Sequence, residues 1–272
     1  MEKEGKTARL SIEQVWLEEI LSLDIFDAGA WLGKTPLFPL MEEGTPGMLE
    51  DIQQKHGITE ALVSHWLAGS YTIEESNLFL LESIKKREKW HSVITGVPLF
   101  PGEPGFADIM EEPLYRGKIK GVRIYPETFW HSIAGWCTGP LCEILSAKKI
   151  PLFLFHTEAS FNDIQALASS FPELDIVLET QVKKIIYSTR SLLPLMKHCP
   201  NIYTDISNLS APGLLEYIIK NMGAERLVFS SFMPANDPMV PIGLLLKKEI
   251  REKDRKLIAG GNMRRLIAGI TS

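Results

Sequence analysis

The feature that most constrains this chain is an alternation that runs nearly its whole length. Short apolar runs rich in β-branched residues are followed, eight times over, by longer segments of helical spacing. The runs are Asp24–Ala28, Ile58–His65, Ser92–Val97, Ile119–Tyr125, Pro151–His156, Leu174–Leu178, Ile202–Asp205 and Arg226–Ser230. Helical periodicity is expected over Met48–His56, Phe106–Tyr115, Pro140–Ala147, Leu192–His198 and Leu214–Met222, with a terminal helical region at Leu244–Ile250 and Leu257–Ile267. Thr72-Ile73-Glu74-Glu75 has the form of a capping box opening a helix with Leu78, Leu81 and Ile84 on one face. Ser160 is expected to cap a helix bearing Ile164, Leu167 and Phe171. An amphipathic helix with Ile12, Trp16, Leu17, Ile20 and Leu21 comes first.

Strand and helix in strict alternation predict parallel βαβ units. Eight such units in 272 residues predict an α/β fold, a (β/α)8 TIM barrel, as a single domain over residues 1–272. A doubly wound open sheet is the alternative, but no Gly-x-Gly-x-x-Gly follows any strand run. In a barrel, the loops after the first, fourth and eighth runs would form the working face.

Charge narrows the partners. A formal net charge of -5 argues against nucleic acid, whose phosphates need a basic patch. The longest basic cluster, Lys85-Lys86-Arg87, falls where a helix should end and reads as a solvated last turn. Met1 to Leu10 is polar and charged, and no run is long enough to span a membrane. Three cysteines, Cys137, Cys142 and Cys199, lack metal-ligand spacing and are expected as reduced thiols. The cytoplasm is the expected compartment.

Several stretches resemble the amidohydrolase-related metal-dependent hydrolases. Asp27-Ala28-Gly29-Ala30-Trp31-Leu32-Gly33 matches that family's opening Asp-Ala-His-x-His-x-Gly frame with both histidines replaced. Lys120–Pro126 is similar to its fourth strand, and Ile150–Thr157 to the fifth, which ends in a ligand histidine. Phe171–Leu178, Asn201–Ser207, Gly223–Ser231 and Gly260–Leu266 resemble the later strands and the closing helix. The resemblance implies a TIM barrel with a metal at the strand C-termini. By position it also implies that most of the ligands are gone: Gly29 and Trp31 stand for the two histidines, Phe232 for the strand-eight aspartate, and the strand-six histidine falls at or beside Glu179-Thr180. Only His156 keeps its expected identity.

A hydrolytic metal needs about three protein ligands and an open position for water. Gly29, Trp31 and Phe232 offer none, so no cofactor is expected; a divalent ion such as Zn, held by His156 with Glu158 and Glu179, is the lesser alternative. His156 reads either as a hydrogen-bonded histidine of the barrel mouth or as a general acid/base. Arg123, mid-strand, faces inward against an anion or Glu179, or else outward between sheet and helices, and Tyr125 shares its parity. The aromatic segment Phe129–Trp136, with Trp130 and His131, reads as a lid over an apolar substrate, or as a packed loop or subunit contact. Trp31, Tyr125 and Phe232 would make the cavity apolar, with Glu158 and Asp205 as residual acids. Asp27 and His65 are further candidates, each with a plainer reading as a turn cap or a packed ring.

Three functions follow. The first is a metal-independent hydrolase or lyase using His156, Arg123 and Glu179 on a small carboxylate-bearing or cyclic substrate. The others are a non-catalytic barrel that binds a small molecule or a protein, and a metal hydrolase with a rebuilt site. A homodimer is the expected assembly.

Overall fold

The computed structural model describes residues 12–35, 43–69, 72–98, 117–181, 185 and 188–271. Eight strands, β1 (Ile25–Leu32), β2 (Ile58–His65), β3 (Trp90–Thr95), β4 (Ile119–Arg123), β5 (Leu152–Phe155), β6 (Ile176–Glu179), β7 (Ile202–Asp205) and β8 (Leu227–Val228), form one sheet in sequence order. Every neighbouring pair is parallel. Backbone bonds close the ring between its ends: Ala28 N–H donates to Phe229 O at 2.9 Å, Phe232 N–H to Gly29 O at 3.0 Å, and Trp31 N–H to Met233 O at 2.9 Å. The barrel expected from the alternation is therefore the fold observed.

The helices are α1 (Ile12–Leu21), α2 (Pro46–His56), α3 (Ile73–Ile84), α4 (Gly135–Lys148), α5 (Phe161–Ser170), α6 (Thr189–His198), α7 (Leu214–Met222), α8 (Met239–Leu245), α9 (Glu252–Lys256) and α10 (Asn262–Ala268). Local chemistry sets several ends. The Thr45 hydroxyl accepts from Met48 N–H at 3.2 Å, Pro46 follows in the first turn, and Gly57 closes α2 in the left-handed region at φ 64°. Ser160 caps α5 as expected, accepting from Asp163 N–H at 3.2 Å. Thr72 does not cap α3 with its side chain; its hydroxyl donates instead to Glu75 Oε2 at 2.7 Å.

The buried face of α3 is also shifted from the expected one. Leu78 is 42% exposed, whereas Asn77, Leu80, Leu81 and Ile84 are buried at i, i+3, i+4 and i+7. Asn77 faces inward because it brackets the end of β3: its amide donates to Thr95 O at 2.8 Å and accepts from Thr95 N–H at 2.9 Å. In α1, Ile20 is buried while Trp16, Leu17 and Leu21 stand about half exposed. Strand limits move as well. The first strand runs on to Leu32 because its second half bonds to β2 and to the β8 side. The fourth stops at Arg123, and the third begins at Trp90. β8 is only two residues long because Phe229 N–H turns to Ile258 O, in the π-turn Leu257–Gly261. The helix expected over Phe106–Tyr115 lies outside the described residues. Among the described residues, no helix is long and apolar enough to cross a membrane.

The barrel interior is stratified. At the bottom, Phe26, Leu62, Val93, Phe153, Val177 and Val228 pack under Met263 and Leu266 of α10. At the mouth, Trp31, Trp66, Tyr125, Phe155 and Phe232 form a second apolar cluster. Between the two lies a layer of charge.

Candidate active site in the barrel mouth

Arg123, at the end of β4, points inward and is 1% exposed. Its Nε and Nη2 donate to Glu179 Oε2 and Oε1, both at 2.6 Å, and its Nη1 donates to Ser64 Oγ at 2.5 Å. Glu179, equally buried at the end of β6, therefore meets it in a two-bonded fork, the geometry in which a buried guanidinium–carboxylate pair holds best. Burial alone would lower the guanidinium pKa, yet Glu179 and Tyr125 hold it above its usual value. Burial pushes the Glu179 carboxyl up, with Arg123 opposing. The fork geometry decides for the charged pair. The guanidinium is also flanked by rings, 4.4 Å from the Trp31 centroid, 5.3 Å from Phe155 and 5.9 Å from Phe153.

Above it the aromatic layer is close-packed. Trp31 stacks on Trp66 at 4.1 Å and on Phe155 at 5.9 Å, and meets Phe232 edge-on at 5.9 Å. Tyr125 contacts Phe155 at 6.0 Å and Phe129 at 5.7 Å, and burial pushes its phenol up to about 12. Trp31 and Phe232 are both fully buried. Trp66, Phe155, Ser64, Gln181 and Ser230 belong to this site although the sequence does not single them out. Gln181 shares the parity of Glu179, and Phe155 that of Phe153, so strand alternation could have found those two.

The remaining acids are satisfied from within the protein. Asp205 accepts from Thr180 N–H (2.6 Å) and Oγ1 (2.8 Å) and from Ser207 N–H (2.8 Å) and Oγ (2.5 Å). Asp27 accepts from Gly29 N–H at 3.0 Å, from Ser231 N–H at 2.8 Å and from the Ser231 hydroxyl, so it ties β1 to the β8 side. Burial, only partly offset by the Ser231 bonds, raises its pKa to about 6. Glu158 accepts from Thr128 N–H (3.0 Å) and Oγ1 (2.8 Å), which pins the β4–α4 loop. His156 is 7% exposed. Its Nδ1 lies 3.1 Å from Glu179 O, a carbonyl that can only accept, so Nδ1 carries a proton. His131 is half-buried, and Trp130 is turned out to solvent, 94% exposed, rather than closing over the mouth as a lid would.

The residues present do not fit a hydrolytic metal. A Cβ at Gly29 would meet Ser230 Oγ and lie 2.5 Å from Gln181 Nε2, so these two side-chain ends occupy the space where the resemblance places a histidine and would have to swing aside to admit one. Trp31 and Phe232 carry no suitable donor. Glu179 is committed to Arg123 and Glu158 to Thr128, and no three His, Cys, Asp or Glu among the described residues come together as a metal would need.

His65, at the end of β2, is a packed ring. Its Nδ1 accepts from Leu67 N–H at 3.2 Å, Phe79 packs edge-on at 5.0 Å, and burial lowers its pKa from 6.5 to about 4. A folded-state pKa below the unfolded one contributes stability above pH 6.5 that is lost as pH falls towards 4. The His65→Gln variant is therefore expected to lose less stability than the parent between about pH 7 and pH 4. The difference is at most about 3 kcal/mol, less whatever solvent screens, and parallel urea titrations would read it. Identical pH slopes would remove His65 as the source.

No protein-family model and no curated protein matches the chain. Solved structures do. An amidohydrolase from Burkholderia multivorans with bound HEPES superposes with a TM-score of 0.68 at 15% identity, covering 90% of this chain and 99% of that one. The two chains share the TIM-barrel fold. An uncharacterised TIM-barrel protein from Bordetella bronchiseptica gives 0.67 at 16%, over 90% of this chain and 98% of that one. A dihydroxybenzoic acid decarboxylase from a Polaromonas species, with bound manganese and an inhibitor, gives 0.66 at 16%, over 90% and 96%. In this chain the barrel mouth is filled by its own side chains: Trp31, Trp66, Tyr125, Phe155 and Phe232 pack over the Arg123–Glu179 pair.

Proposed function

We propose that this chain is an amidohydrolase-like barrel that works without a metal, and that it binds rather than turns over. The observation that carries this is the filled position beside Gly29, where Ser230 and Gln181 stand within 2.5 Å of any added Cβ. Arg123 is bonded to Glu179 and Ser64 beneath the mouth rings, so its charge is not presented to a substrate carboxylate. A second reading, a metal-independent hydrolase or lyase, rests on one feature: the His156 imidazole, oriented at the end of β5 by the Nδ1 contact to Glu179 O.

Two measurements separate these readings. Protein purified without chelators is expected to carry zinc, manganese or iron at well below one equivalent; a stoichiometric metal overturns both. In a screen of lactones, amides and small carboxylates, binding without turnover is the expected result. Turnover that disappears in His156→Ala establishes the second reading, and turnover that survives it removes His156 from any mechanism.

A further inference from the structure

The connection between β4 and α4 is held in place by its own bonds. Phe129 N–H donates to Tyr125 O at 2.8 Å, His131 N–H to Pro126 O at 3.0 Å, and Ala134 N–H to Ser132 Oγ at 3.1 Å. On this pinned connection Trp130 takes a left-handed backbone, φ 58°, and holds its indole 94% exposed. A bulky side chain seldom adopts that region, and an ordered indole normally buries itself. Trp136, in the first turn of α4, is 82% exposed.

The charge that this connection itself carries has one sign. Between Ile124 and Cys137 there is no Lys or Arg. Glu127 is exposed on the same connection, and Glu158 is anchored to it through Thr128. Burial lowers the pKa of His131, which keeps that ring neutral. The connection thus presents indole faces and carboxylate with no cation of its own.

We propose that this rim is a docking surface for a basic segment of another protein, whose Lys or Arg side chains lie on the Trp130 and Trp136 rings, with Glu127 as counter-charge. Indole faces attract such cations, and tryptophan is among the residues that most often carry binding energy at an interface. The exposed indoles belong to neither of the barrel's two interior clusters, so the proposal holds whether or not the lumen turns over a substrate.

The test uses the full chain at low ionic strength, titrated with a ten-residue Arg-Gly peptide and followed by calorimetry. A Glu-Gly peptide of equal length and a neutral oligosaccharide serve as controls. The Trp130→Gly variant is the probe, because glycine accepts φ 58° without strain and its melting temperature should not fall. The Arg-Gly peptide alone is expected to bind, about ten-fold more weakly to Trp130→Gly and to Trp136→Ala. Binding should weaken again in roughly 0.5 M salt. Absence of binding, or equal affinity for both variants and the parent, overturns the proposal. So does binding of the oligosaccharide instead, or a dimer in light scattering that Trp130→Gly disperses.

Discussion

Glu179→Ala is expected to lower the unfolding free energy by about 3–5 kcal/mol, because it leaves the Arg123 guanidinium buried without its counter-charge. Arg123 is 1% exposed and, among the described residues, would keep Ser64 and Tyr125 as polar partners. A domain's whole margin is about 5–15 kcal/mol, so the variant should unfold at far lower urea concentration. The companion experiment removes both charges. Arg123→Met with Glu179→Leu roughly keeps volume and deletes the desolvation cost, and it is expected to recover most of the loss. If Glu179→Ala stays within about 1 kcal/mol of the parent, the pair does not hold the lumen together.

Trp31→Ala should be nearly as damaging, at about 3–5 kcal/mol, through the cavity it opens. The ring is fully buried, stacks on Trp66 at 4.1 Å, and lies 4.4 Å from the guanidinium. Trp31→Phe keeps an aromatic face and should cost clearly less. Chemical denaturation measures both, and near-ultraviolet circular dichroism should lose intensity in the alanine variant as the coupled indoles separate. Equal stability of the two variants would mean that the stack contributes little.

Much of the frame is legible in the sequence. The β2 run, the β7 run and the helix Leu214–Met222 match the observed elements because their apolar residues are bounded by clear turn signals. Other elements are hidden for physical reasons. Leu78 reads as core by hydrophobicity, but α3 turns Asn77 inward because a polar side chain is needed to bracket Thr95. Within the site, Glu179 is one of the two inward partners open to Arg123 on the sequence, and the fork between them selects it. Trp66 escapes notice because its contact with Trp31 joins segments far apart along the chain, whereas the parity of Phe155 with Phe153 is there to be read. Trp130 reads as part of a lid, a packed loop or a subunit contact, yet its backbone angle accompanies a ring turned outward, and no residue pattern announces a left-handed tryptophan.

The charge layer between the two apolar layers has a consequence for how this interior is filled. A guanidinium on β4 is tethered to the chain, so its local concentration in the lumen is the same at any dilution. An ion drawn from solution obeys mass action, and its occupancy falls as its free concentration falls. Arg123 can leave only when its strand leaves. The positive charge at the heart of this barrel is thus delivered by translation, and its supply never depends on what the surrounding solution contains.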